Sequence, residues 1–125
     1  MTGVTARAGG VAALAWFSVL APPLAWAAQL VVGYSFQQAG CGRPDADLWG
    51  LGLNGLTGSV VVVFGAVAVL GGLAGMVALH ASATGDPLGR IGFMAVAGIV
   101  SACIFVLAIV LSGIALLPLD ACDPG

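Results

Sequence analysis

The sequence predicts an all-α integral membrane protein with three transmembrane helices, its N-terminus inside and its C-terminus outside. Three observations carry that prediction. Charged residues make up 6% and apolar residues 61% of the 125 positions, against roughly 25% and 45–50% in soluble domains. Three stretches contain no Asp, Glu, Lys or Arg and are each long enough to cross a hydrocarbon core of roughly 30 Å at about 1.5 Å of helical rise per residue. Clusters of Gly, Pro and Asp separate them.

The first span covers about 11–36, the second 58–80 and the third 91–117, where Pro118 and Asp120 stop it. A single membrane domain thus accounts for the whole of 1–125. Between the first two spans, 37–57 is an outer loop. Its first half carries Cys41, Arg43, Pro44, Asp45 and Asp47 and reads as solvated. Its second half, Leu48-Trp-Gly-Leu-Gly-Leu-Asn-Gly-Leu56, is uncharged; it either lies in the interface with Trp49 as an aromatic anchor or lengthens the second helix. The 81–90 segment, with Gly85, Asp86, Pro87 and Gly89, is a short cytoplasmic turn that makes the second and third helices an antiparallel hairpin.

Orientation rests on the arginines, because basic residues near span ends favour the cytoplasm. An N-inside arrangement places Arg7 and Arg90 inside against Arg43 outside. A competing reading takes Arg7, the apolar run after Val11 and Ala25-Trp26-Ala27 as a secretory signal cleaved after residue 27. Against cleavage, the apolar run continues through Leu30, Val31 and Val32 to Phe36. If the span is retained, Pro22 and Pro23 kink it and free carbonyls that neighbours must satisfy.

The same topology brings Cys41 and Cys122 to the outer face, where a disulfide between them would clamp the first helix to the third in an oxidising compartment. The alternatives are two unpaired thiols or, less readily without nearby His or Met, a copper-binding pair. Cys103, in mid-span, is expected to be a small buried hydrophobe.

Helices in lipid gain nothing from apolar contact with one another, so small residues that let backbones approach take over. The second span carries Gly58, Gly65 and Gly72 in heptad spacing, with Ala68 and Gly75 adjoining. The third carries Gly98, Ser101, Ala108, Ser112 and Ala115 on one side. Both stripes are expected to face other helices. Gly71 and Gly75 form a further small-xxx-small pair, a weaker signal in a chain with 20 glycines.

No ionisable Asp, Glu, Lys or Arg lies within a span, whereas ion-coupled carriers and proton relays usually place one near the midplane. His80 is the single histidine and stands at the cytoplasmic end of the second span. There is no nucleophile paired with a base, no metal-ligand spacing and no phosphate or dinucleotide fingerprint. The expectation is a chain that is not an enzyme, holds no cofactor, and meets the lipid bilayer and other membrane proteins rather than nucleic acid. Gln29, Tyr34, Ser59, Ser101 and Ser112 are read either as packing polarity or as the lining of a substrate path.

Several of these residues bear a likeness to a known group. Pro23-Leu24-Ala25-Trp26, Tyr34 and Cys41, then Arg90, Phe93-Met94-Ala95, Gly98, Ser101, Phe105 and Ile109, and finally Pro118 and Cys122, resemble small bacterial membrane proteins associated with gene clusters for haem–copper cytochrome c oxidases. The likeness covers about half the chain. It departs at Ala21, where that pattern often has glycine, and at the longer separation of Pro118 from Cys122. The resemblance implies an accessory or assembly subunit of a respiratory oxidase in the bacterial inner membrane, with no catalytic residue. The alternative is a small self-assembling transporter or channel subunit.

Overall fold

A computed structural model describes residues 2–41, 53–83 and 89–116. Three α-helices make up the described chain: α1 (Thr2–Cys41), α2 (Leu53–Ser82) and α3 (Arg90–Leu116). Each packs against both of the others, and the clusters of Ala15, Ala78 and Ala95 and of Ala25, Ala68 and Ile109 show that α1 and α3 run parallel with α2 antiparallel to both. All three contain stretches long and apolar enough to cross a membrane, Arg7–Ala39, Gly55–Ser82 and Arg90–Ala115. The chain therefore has the architecture of a multi-pass membrane protein.

The helices outrun two of the three spans. α1 has 40 residues and α2 has 30, about 60 and 45 Å at 1.5 Å per residue. A charge-free stretch reports where lipid begins, and a helix continues beyond that point wherever its backbone bonds persist. Thus α1 begins well before Val11 and ends at Cys41, and α2 starts at Leu53, which lengthens it into the uncharged half of the connection. Positions Gly3, Gly9 and Gly10 have nothing within 4 Å where a side chain would begin. The first turns of α1 therefore stand clear of the other described helices. α3, with 27 residues, ends within a residue of the expected stop.

Pro22 and Pro23 lie inside α1, which runs unbroken through them. At the other ends, the Ala83 N–H donates to the Leu79 carbonyl at 3.0 Å, closing the last turn of α2. The Phe93 N–H donates to the Gly89 carbonyl at 3.1 Å, so Gly89 caps α3.

The distribution of side chains is inverted relative to a soluble bundle. Buried positions include Ala15, Ser18, Ala21, Pro22, Ala25 and Gln29 on α1, Leu56, Thr57, Ala68, Gly71, Ala74, Gly75 and Ala78 on α2, and Ala95, Gly98, Ala102, Ile109 and Gly113 on α3. Outside stand Trp16, Leu24, Val31, Val62, Leu70, Phe93, Ile104 and Leu111 among many others. Water would penalise that arrangement heavily; hydrocarbon does not. Trp16 and Tyr34 both face outward, about 27 Å of helix apart, close to the thickness of a hydrocarbon core. Aromatic side chains at the two interfaces are the ordinary anchors of a membrane helix.

Candidate functional site

The interior is a stack of close approaches. At the end where α2 stops and α3 begins, Ala15, Ala78 and Ala95 form one buried cluster, flanked by Val11, Leu14 and Met94. One turn along, Ser18 of α1 meets Gly98 of α3 and Gly75 of α2. A Cβ at Gly98 would stand 2.7 Å from Ser18 Cβ and 2.9 Å from its carbonyl carbon. A Cβ at Gly75 would stand 3.0 Å from Ile99 Cγ1, 3.1 Å from the Ala95 carbonyl oxygen and 3.2 Å from Ser18 Cβ. Pro22 deprives the Ser18 carbonyl of its usual amide donor. Gly98 sets the α3 backbone against that same residue.

The next layer seats the proline ring. Pro22 is among the largest fully buried side chains, and a Cβ at Gly71 would stand 3.1 Å from both its Cγ and its Cδ. A Cβ at Gly72 would stand 3.0 Å from Ala102 Cβ. Beyond it, Ala25, Ala68 and Ile109 form a second buried cluster with Phe64, Val67 and Val106. Trp26 of α1 tilts against Phe105 of α3 with ring centroids 5.7 Å apart. At Gly113, a Cβ would stand 2.6 Å from Val61 Cγ2.

Among the described residues Gln29 is the one long polar side chain in this interior, 1% exposed. Its Nε2 donates to the Ile109 carbonyl at 3.3 Å and to Ser112 Oγ at 3.3 Å, tying α1 to α3. Ser112 in turn donates within its own helix, with Ala108 O at 2.8 Å and Ile109 O at 3.1 Å. Because the Ile109 carbonyl only accepts, the amide nitrogen must be the atom facing it. Gln29 Oε1 is then left buried without a donor, a situation that costs about 1–3 kcal/mol when nothing relieves it.

Several other polar side chains serve their own helices. Ser18 Oγ donates to Ala15 O at 2.8 Å, Ser35 Oγ to Val31 O at 2.8 Å, and Ser59 Oγ to Leu56 O at 2.8 Å. Tyr34 faces outward, its Oη accepting from Gln38 Nε2 at 2.5 Å. His80 is exposed, with Nδ1 3.2 Å from Met76 O.

The residues singled out from the sequence distribute unevenly over this geometry. Gly72, Gly75 and Gly98 lie at tight approaches, and Gly65 makes an ordinary contact, 3.8 Å from Ile109 Cγ2. Gly58 lies off the seam, with nothing among the described residues within 4 Å of where its Cβ would stand. Ser101 is half-buried on α3, and Ser112 accepts the Gln29 bridge. Cys103 is exposed, not buried as expected. It stands off the packed face of α3 that carries Ala102 and Ile109. The side chain of Cys41 and the whole of Cys122 lie outside the described residues. Among the described residues, no three of His, Cys, Asp and Glu gather as a metal site would require.

Neither the protein-family models, nor the curated proteins, nor the solved structures contain a match to this chain.

Sequence reasoning missed Ser18, Pro22 and Gly113 as contact residues. The signal was present: Ala15, Ser18, Ala21 or Pro22, Ala25, Gln29 and Gly33 recur every three or four residues, a third small-residue stripe on α1. A proline read only as a helix breaker hides its use as a ring that fills a glycine notch.

Proposed function

We propose that the chain is a non-catalytic accessory or assembly subunit of a larger bacterial membrane complex, and that this complex is a respiratory haem–copper cytochrome c oxidase. The observation that supports a docking role is where the polarity lies. Gln29, Ser18 and Ser112 are turned inward and bonded within the chain, and the interior between them is filled by Ala, Gly, Pro and Ile109. Among the described residues few polar groups remain to line a transport path down the middle of one chain, which favours docking over transport. The outward faces, carrying Trp16, Leu24, Leu73, Phe93 and Leu107, are the surfaces on which a lipid or another membrane helix would lie.

The choice of oxidase rests on the sequence resemblance through Pro23-Leu24-Ala25-Trp26, Phe93-Met94-Ala95 and the residues that follow. In this reading the chain sits in the inner membrane with Arg7 and Arg90 on the cytoplasmic side, and Cys41 and Cys122 form a disulfide outside. It binds neither a cofactor nor nucleic acid.

The deciding experiment is purification of the tagged protein from its native membranes in mild detergent, with mass spectrometry of everything bound and a reduced-minus-oxidised optical spectrum. Oxidase subunits with a reduced haem band are expected. A haem-free homo-oligomer would overturn the reading and direct attention to flux through liposomes.

A further inference from the structure

Gln29 Oε1 is left without a donor, and Ser112 Oγ, bonded to the same amide, has one lone pair still open. Oε1 of Gln29 is buried and receives no donor. Ser112 cannot supply one, because its proton is directed to the carbonyls of Ala108 and Ile109. Its oxygen accepts from Gln29 Nε2 and keeps a second lone pair. The two oxygens are linked through Nε2, so they lie no more than about 5.5 Å apart, and one water donating two bonds of about 2.8 Å at its own angle bridges oxygens roughly 4.4 Å apart, inside that limit.

A guest that serves both must donate twice, carry no charge and fit inside a closed helical core. Water donates twice, carries no charge and is the smallest such guest, and buried waters bound to otherwise unsatisfied polar groups are an ordinary part of protein interiors. A lipid hydroxyl or a partner's side chain would have to reach an atom that the three helices enclose. We infer that Gln29 Oε1 and Ser112 Oγ hold a single buried water, making the contact between α1 and α3 a closed polar bridge within lipid. This holds whether or not the chain docks on an oxidase.

The test is water-edited solid-state NMR on the full-length, isotopically labelled protein in bilayers. Magnetisation from water protons should reach the Gln29 side-chain carbonyl severalfold faster than the methyl groups of Ala25 and Ala68, and the Ser112→Ala substitution should slow it. Transfer to Gln29 no faster than to Ala25 would overturn the inference. Equal transfer along Ser18, Pro22 and Gln29 would overturn it too, by showing a continuous wet path instead of one site. An unchanged rate in Ser112→Ala would also overturn it, because the bridge requires Ser112 Oγ.

Discussion

At Gly98 an added methyl group would press on Ser18 at 2.7 Å from its Cβ and 2.9 Å from its backbone carbonyl carbon, and backbone cannot swing aside as a flexible side chain does. Gly98→Ala is therefore expected to cost about 1–3 kcal/mol, the usual toll of overpacking. Gly58, in an equally apolar helix, has open space around it. Gly58→Ala should be neutral or stabilise by up to about 1 kcal/mol through the lower chain entropy of alanine. Unfolding of both variants in mixed detergent micelles checks the contrast, and equal effects would mean that the α1–α3 approach at Ser18 is looser than described. Ser112→Ala removes one acceptor of Gln29 Nε2 but leaves the Ile109 carbonyl in place. Its expected loss is about 0.6 kcal/mol, typical of hydrogen bonds between membrane helices.

Pro22 and Gly71 belong to different elements and act as one fitting, the ring of α1 set into the notch of α2. Replacing Gly71 by alanine pushes a methyl group toward the ring at 3.1 Å, and replacing Pro22 by alanine removes the ring. The two changes should therefore be non-additive, with a coupling of about 0.5–3 kcal/mol. A double-mutant cycle in the same micelle assay measures it; strict additivity would show that the two helices do not meet there. The lengths of α1 and α2 were less legible than their existence. Hydropathy senses the solvent a helix crosses, while its ends depend on backbone bonds and caps that charge-free stretches do not report.

Taken as a whole, the bundle loses its interior if α1 is cut. Ser18, Ala21, Pro22 and Ala25 are buried between α2 and α3, and all lie before the candidate cleavage point after Ala27. Protein extracted from membranes is accordingly expected to keep these residues, which intact-mass measurement or N-terminal sequencing decides. A mature chain starting at Ala28 would leave only two complete helices and sink the three-helix assembly. For the proposed clamp, thiol labelling of non-reduced protein should leave Cys41 and Cys122 unmodified until reductant is added, while exposed Cys103 is judged separately in a Cys103→Ser background. Labelling of both without reductant would exclude the disulfide.

By itself the sequence determined that the chain is helical and lipid-compatible, and how many helices it contains. Those properties follow from composition and the spacing of charges, quantities that need no knowledge of neighbours. It also marked Gly72, Gly75 and Gly98, because close packing in lipid demands small residues wherever backbones meet. Only the tertiary structure decided which small residues are at the seam. Gly58 and Gly72 are alike in sequence context, yet one faces open space and the other Ala102. The same holds for Gln29, one of several polar groups in the spans, whose inward direction and unpaired oxygen depend on the angle at which α3 passes α1. Pairing is a property of two surfaces together, and each helix sequence describes one.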